Sequence, residues 1–292
     1  MAAAFRPRRS VLYMPGSNAR ALDKAKTLAA DALILDLEDA VAPDAKALAR
    51  DQVSAAVKQG GFGSRETIIR VNGPDTEWGD ADMKAACAAG PDAILVPKIN
   101  SAEDIMRADH ALKANGAPSH TSLWAMMETP RAMLDALAIA EAAKGTRLVC
   151  FVMGTNDLAK ETRAKIVPGR APMDAWLMAC VAAARVAQID IIDGVYNAIA
   201  DMDGFERECV EARDRGFDGK TLIHPSQIEP ANRLFAPTEN EVAWARMLIA
   251  AFEQPENAGK GALQLDGKMV ERLHAEIGRR TVAIAEAIAS RN

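Results

Sequence analysis

Short runs rich in β-branched and other apolar residues alternate along this chain with longer, alanine-rich segments in which charged positions recur on a helical period. The runs occupy residues 10–14, 32–37, 67–71, 93–96, 123–127, 148–153, 189–193 and 221–223. Helices are predicted between them, among others over 19–28, 102–112 and 131–143. In the last of these Ala132, Leu134, Leu137, Ala138 and Ala142 supply much of the expected apolar surface, while Arg131, Asp135, Glu141 and Lys144 reach solvent. Eight strands, mostly followed by helices, predict an α/β chain folded as a (β/α)8 TIM barrel. A doubly wound open sheet is the main competitor. It more typically offers a glycine fingerprint after its first strand, and MPGSNAR is not GxGxxG.

After Ile223 the pattern changes. A helix is predicted over 240–252, a Gly-rich charged linker over 254–261 and a final helix over 269–288. The expected division is a catalytic barrel over 1–235 and a C-terminal helical extension over 236–292. The extension has too few apolar residues for a core of its own, so it is expected to cover the barrel or a neighbouring subunit.

Composition narrows the function classes. With 292 residues, 49% apolar and 26% charged, the chain can bury a large core and is ordinary for a globular protein. The net charge of −5 provides no general attraction to phosphate backbones, and no recognition motif accompanies it, so no nucleic-acid partner is expected. Cys87, Cys150, Cys180 and Cys209 are dispersed without a CxxC pair, which reads as structural thiols in a reducing compartment. The basic start MAAAFRPRRS is followed only by VLYM before Pro15, too short for a signal sequence, and no run approaches membrane-spanning length. A cytoplasmic enzyme without a membrane partner is the expectation; a trimmed targeting segment stays open.

The candidate chemistry lies just past the strand ends, where barrels place catalytic groups. Glu128 in WAMMETP and Asp157 in MGTND offer oxygen ligands suited to Mg2+, with water or substrate oxygens completing the shell. The alternative is that Glu128 caps a helix and Asp157 accepts loop N–H bonds. Zinc is disfavoured, because the four histidines show no ligand spacing. Asp36, Glu38 and Asp39 in LDLEDAVAPDAK end an apolar strand and need a cation, water or several donors. Glu38 and Asp39 either hold metal-bound waters or brace Arg70 and Lys46. Arg70 ends the strand TIIRV, where it either grips a substrate oxygen and a developing enolate or forms a structural ion pair. Tyr13 ends the first strand, and Arg20 and Lys24 share one face of the following helix, suiting phosphate as well as solvent. Ile223 and His224 end the eighth strand, where substrate contact is favoured over proton transfer. Asp266, followed by Gly267, sits in a turn of the extension.

These segments together resemble the citrate lyase beta-subunit-like family of HpcH/HpaI aldolases, which includes malyl-CoA and citramalyl-CoA lyases and malyl-CoA thioesterases. The resemblance runs through SVLYMPGSNARALDKA, LDLEDAVAPDAK, IIRVNGPDTEWG, ILVPKI, WAMMETP, MGTNDLAKE, DGVYNA, GFDGKTLIHPSQI and GKGALQLDGKMVE, nearly the whole chain. It implies a TIM barrel, Mg2+ held by Glu128 and Asp157, an acyl-CoA substrate touched by Arg70, and assembly as a trimer or a hexamer of two trimers. Tyr13, Arg20, Lys24, Ile223 and His224 fall at the CoA or acyl site. In lyases of this group the C-terminal segment brings an acidic residue into an adjoining subunit's site, and Asp266 matches it. Citrate lyase beta subunits often carry Asn there, and only a carboxylate can move a proton, so Asp266 favours free CoA thioesters. WAMMETP and MGTNDLAKE are similar to the thioesterase branch. The implied activity is Mg2+-dependent hydrolysis of (3S)-malyl-CoA to malate and CoA. The alternatives are carbon–carbon cleavage of malyl- or citramalyl-CoA, or action as a citrate lyase beta subunit.

Overall fold

Every second residue of the eight apolar runs points to a common interior, and that periodicity closes the sheet. The structure, a computed structural model, describes residues 6–291. Its first half runs β1 (Ser10–Pro15), α1 (Ala19–Ala25), β2 (Ala32–Asp36), α2 (Lys46–Gln59), β3 (Glu66–Arg70), α3 (Gly79–Ala89), β4 (Ala93–Val96), α4 (Ala102–Ala114) and β5 (Ser122–Met127). It continues with α5 (Pro130–Leu134), α6 (Ala136–Glu141), β6 (Leu148–Met153), α7 (Thr155–Thr162), α8 (Asp174–Ala187), β7 (Asp190–Asp193), α9 (Met202–Arg215), β8 (Gly219–Leu222) and α10 (Ile228–Leu234). The eight strands pair in parallel, each with its sequence neighbours, and β8 returns to β1, giving a closed (β/α)8 barrel.

Inside the barrel Val11, Ala32, Ile34, Ile68, Ala93, Leu95, Trp124, Met126, Cys150, Val152 and Ile192 form one buried cluster, with Tyr13 against it. The alternate residues, such as Leu33, Ile69, Ile94 and Phe151, are equally buried, because helices cover the outer face. Each strand therefore reads as a continuous apolar run. Carried one step toward the strand ends, the inward period 32, 34 reaches Asp36, and 68 reaches Arg70. At the opposite end Arg8 joins Glu66 at 2.7 Å and Asp190 at 2.5 Å and lies 5.0 Å from the centre of the Trp124 ring.

Two helical expectations need correction. The segment 131–143 breaks at Asp135 into α5 and α6, and its buried face is Ala132, Met133, Ala136, Ile139 and Ala140. Leu134 and Leu137 instead stand 80% and 50% exposed. Small residues on the inner face let α6 approach α8 closely, and the larger leucines are left outside. The expected final helix also begins late. Residues before it form a hairpin of β9 (Ala262–Leu265) and β10 (Lys268–Glu271), and α12 spans only Arg272–Ala289. Asp266 and Gly267 both take positive φ, 50° and 73°, the turn that matches the twist of a two-residue hairpin.

The chain divides into two compact units, one holding Arg8–Arg233 and the other the described residues from Leu234 onward with the two before Arg8. In the smaller unit α11 (Glu239–Glu253) packs on α12 and the hairpin around Leu248, Phe252, Val270 and Ala275. Among the described residues no helix is long and apolar enough to cross a membrane.

Candidate active site

The strand ends of β1, β2, β3, β5 and β6 converge on a cavity of about 290 Å3, lined by Tyr13, Asp36, Asp39, Arg70, Met126, Met153, Asp157, Asn197 and Ile223 among others. Asp36 and Arg70 are register partners on adjacent strands, which places their side chains together. The guanidinium grips Asp36 through both Nε, at 2.6 Å, and Nη2, at 2.7 Å, and its face lies 4.9 Å from the Tyr13 ring centre. Nη1 points toward Asp39 at 3.2 Å and Met126 Sδ at 3.6 Å. Asp36 also accepts the backbone N–H groups of Glu38 and Ala40, both at 2.9 Å. Burial opposes its charge, but Arg70 and these donors hold its carboxyl below the usual carboxylate range.

Glu38 behaves in the opposite way. Burial, together with repulsion from Asp39, Glu128 and Asp36, pushes its carboxyl up to about 8. Arg70 Nη1 lies 2.7 Å from Glu38 Oε2, yet that oxygen has no hydrogen bond of acceptable geometry. The guanidinium is already committed to Asp36, so proximity alone does not compensate the burial.

Glu128 is wholly buried. Its Oε1 accepts the backbone N–H of Lys98 at 2.8 Å, while Oε2 is buried without a partner. The helix after it is capped by Thr129, whose hydroxyl accepts the Ala132 N–H, so Glu128 does not serve as the cap. Asp157 lies in the first turn of α7, where a carboxylate is favoured by the helix dipole. The Lys98 ammonium joins the pair, 2.8 Å from Asp157 Oδ1 and 3.6 Å from Glu128 Oε1. Gly154 makes this packing possible: a Cβ there would collide with Glu128 Cβ and come within 2.6 Å of Oε2.

This donor set fits a hard divalent cation. One carboxylate oxygen is orphaned, a cation already reaches both carboxylates, and Asp36, Asp39, Glu128 and Asp157 outnumber Arg70 and Lys98. Among the described residues no cluster of three His, Cys, Asp or Glu side chains is disposed to hold a metal. An ion here would take two protein carboxylates and complete its shell with water or substrate oxygens.

Residues 9–225 match the HpcH/HpaI aldolase/citrate lyase family. The chain belongs to this family. Over 290 residues, 99% of each chain, it is 51% identical to a (3S)-malyl-CoA thioesterase of Cereibacter sphaeroides. It is 36% identical over 271 residues to the citrate lyase subunit beta of Escherichia coli, covering 91% of this chain and 89% of that one. Among solved structures it is similar to the protein CitE from Mycobacterium tuberculosis in complex with magnesium, acetoacetate and coenzyme A. The TM-score is 0.73 and the identity 27%, covering 94% of this chain and 97% of the other. Further similar structures are of the same protein in complex with magnesium and acetoacetate or pyruvate.

The remaining candidates of this HpcH/HpaI chain are distributed unevenly. Arg20 and Lys24 are exposed on α1, and neither lines the central cavity. His224 is exposed beside it, with Nδ1 accepting from Ser226 N–H at 3.2 Å and lying 2.8 Å from Ser226 Oγ, so this nitrogen caps a short turn. Asp266 is exposed at the hairpin turn of the smaller unit. The expectation for Lys46 is corrected: its ammonium binds the Leu37 and Glu38 carbonyls and Asn72 Oδ1, at 2.7–2.8 Å, rather than the carboxylates. It fixes the loop that carries Glu38 and Asp39.

Three features escaped the residue-by-residue reading. Lys98 lies in the quoted stretch ILVPKI, but nothing in its spacing links it to Glu128. Asn156 and Asn197 exchange amide hydrogen bonds at 3.2 and 2.7 Å, joining the first turn of α7 to the loop after β7 at the rim. Lys220, completely buried, binds Asp193, Glu208 and the Gly194 carbonyl at 2.6–2.7 Å, and Arg170 closes on Asp193 at 2.6 Å. The last was missed because the expected eighth run began at Thr221, whereas β8 begins at Gly219 and so includes Lys220, a strand lysine that must find counter-charges when both faces are covered.

Proposed function

We propose that this protein hydrolyses (3S)-malyl-CoA to malate and CoA with Mg2+ held by Glu128 and Asp157. The observation that carries the choice of substrate and reaction is the 51% identity to a (3S)-malyl-CoA thioesterase over 99% of both chains. The geometry supports the same chemistry. Mg2+ at this pair would supply positive charge for the oxygens of a malyl group and lower the cost of charge developing there. Arg70, immobilised by Asp36, lines the cavity, and its Nη1, which rests on the exposed Asp39, would turn from that contact to the oxyanion formed when water attacks the thioester carbonyl. Tyr13 keeps the guanidinium in place by stacking, and Ile223 contributes apolar wall.

Asp266 is the proposed base that activates water, delivered by the tail of a neighbouring subunit in a trimer, or in a hexamer built from two. Arg20, Lys24 and His224 are assigned to the CoA moiety. A cytoplasmic setting accords with four buried free thiols. Incubation of the protein with (3S)-malyl-CoA, with and without Mg2+, followed by separation of malate, glyoxylate, free CoA and acetyl-CoA, tests the proposal. Metal-dependent malate and CoA are expected. Glyoxylate with acetyl-CoA would replace hydrolysis by carbon–carbon cleavage, and no turnover of malyl-, methylmalyl- or citramalyl-CoA would remove the assignment.

A further inference from the structure

Lys98 occupies an unusual position for a lysine. Directly after Pro97 it takes a left-handed backbone conformation, with φ 55°, a region that costs a non-glycine residue free energy unless its surroundings enforce it. Here they do. Asn100 Nδ2 donates to the Lys98 carbonyl at 2.9 Å, and Asn100 Oδ1 accepts the Thr129 hydroxyl at 2.6 Å, tying the turn to the residue after Glu128. The turn aims the Lys98 N–H at Glu128 Oε1 and sends the ammonium between Glu128 and Asp157.

That ammonium rests against both carboxylates that would hold the divalent ion. Two cations cannot share the position without strong repulsion. A second location is available to it. The Lys98 side chain is 38% exposed and also lines a groove of about 550 Å3 between the loops after β3 and β4, where Asp75 and Asp80 contribute acidic groups, while Asp104 is paired with Arg107 of the same groove. Asp157 lines the central cavity instead, so Lys98 stands between the two spaces.

We propose that Lys98 is a tethered counter-cation that neutralises the Glu128–Asp157 pair and is exchanged for the divalent ion, its ammonium moving out to the adjoining acidic groove. This rests on the metal assignment made above and adds an exchange partner within the chain. The ammonium keeps a buried carboxylate compensated before metal arrives, and it weakens metal binding by requiring displacement. The backbone N–H of Lys98 stays on Glu128 Oε1 in both states, so the pair keeps its geometry through the exchange.

Metal affinity in EDTA-stripped and reloaded protein tests this without reference to turnover. Mn2+ titrations followed by electron paramagnetic resonance are expected to show binding roughly tenfold tighter in Lys98→Met and Lys98→Asn than in the natural chain, and little changed in Lys98→Arg. The asparagine variant tolerates positive φ and guards against loss of the turn. Reductive methylation of the natural protein, read at Lys98 by mass spectrometry, is expected to rise several-fold when Mg2+ or Mn2+ is present, because the ammonium leaves its ion pair. Equal or weaker Mn2+ binding in both neutral variants, or labelling that does not rise with metal, would overturn the exchange. Absence of Mn2+ binding in every protein, the natural chain included, would overturn both the exchange and the metal assignment.

Discussion

Arg70 holds Asp36 through two nitrogens and turns the third toward Asp39 and Glu38, but for Glu38 burial and three neighbouring carboxylates outweigh that one contact. The two acids consequently differ in charge at neutral pH. For Glu38 the folded value near 8 lies above the ordinary 4.5, so folding favours its protonated form. Its contribution to stability is complete below about 4.5 and is lost as pH rises through about 8. Melting temperatures of EDTA-treated protein should therefore fall from pH 5.5 to 8.5, and Glu38→Gln should flatten that slope; an identical slope in the variant would show that another group is responsible. Asp266 belongs to a different kind of test, since its proposed role is proton transfer. Asp266→Asn is expected to lower kcat by about 10²- to 10⁴-fold while Mg2+ affinity by calorimetry is unchanged. An unchanged kcat would exclude it as the base. Arg70 and the acids of LDLEDA were legible as a charged group at a strand end, because charge at the end of an apolar run always requires an explanation. Their partition into one committed pair and one raised acid was not, since it depends on which oxygen the guanidinium reaches.

The junction between β6 and α7 brings together Glu128 and Asp157, the pair proposed to hold the metal. Gly154 lets β6 pass directly over Glu128 at the end of β5, and Asp157 follows three residues later in the first helical turn. Gly154→Ala would drive a methyl group into the Glu128 side chain, with an expected cost of about 1–3 kcal/mol in stability. Mn2+ affinity should fall at least roughly tenfold. Thermal melting and metal titration of the same sample separate the two effects, and a variant that melts low but binds metal normally would show that Gly154 serves packing alone. Strand positions were readable from the runs to within about two residues at each end, while helix faces were harder to read. In α5 and α6 the leucines suggested the inner side, but close approach to α8 selected alanine, methionine and isoleucine. In the tail, β9 and β10 are only four residues each, and their alternation is too short to stand out beside the long helical pattern that follows.

Across the molecule the two ends of the barrel have separate duties. Arg8, Glu66, Asp190 and Trp124 form a charged plug at the end opposite the site. Arg8→Met is expected to destabilise the protein by about 3–5 kcal/mol in urea unfolding, because both Glu66 and Asp190 would lose their ion pair with the guanidinium. Metal affinity of the folded fraction should not change, and a loss would mean that the plug transmits strain to the active end. The proposed sharing of Asp266 between subunits has its own whole-assembly test. Subunits carrying Asp266→Asn and subunits carrying Asp157→Asn, each expected to be inactive, should regain activity when unfolded and reassembled together; no recovery would place Asp266 outside its neighbour's site. The barrel, its eight strands and the candidate pair Glu128 and Asp157 were readable from the order of residues, because hydrophobic period and strand-end chemistry are local properties of the chain. The Lys98 ammonium between those carboxylates, the orphaned Glu128 oxygen and the raised Glu38 became visible only when the barrel closed. Burial and charge pairing depend on distances between strands, and those distances are set by packing rather than by separation along the sequence.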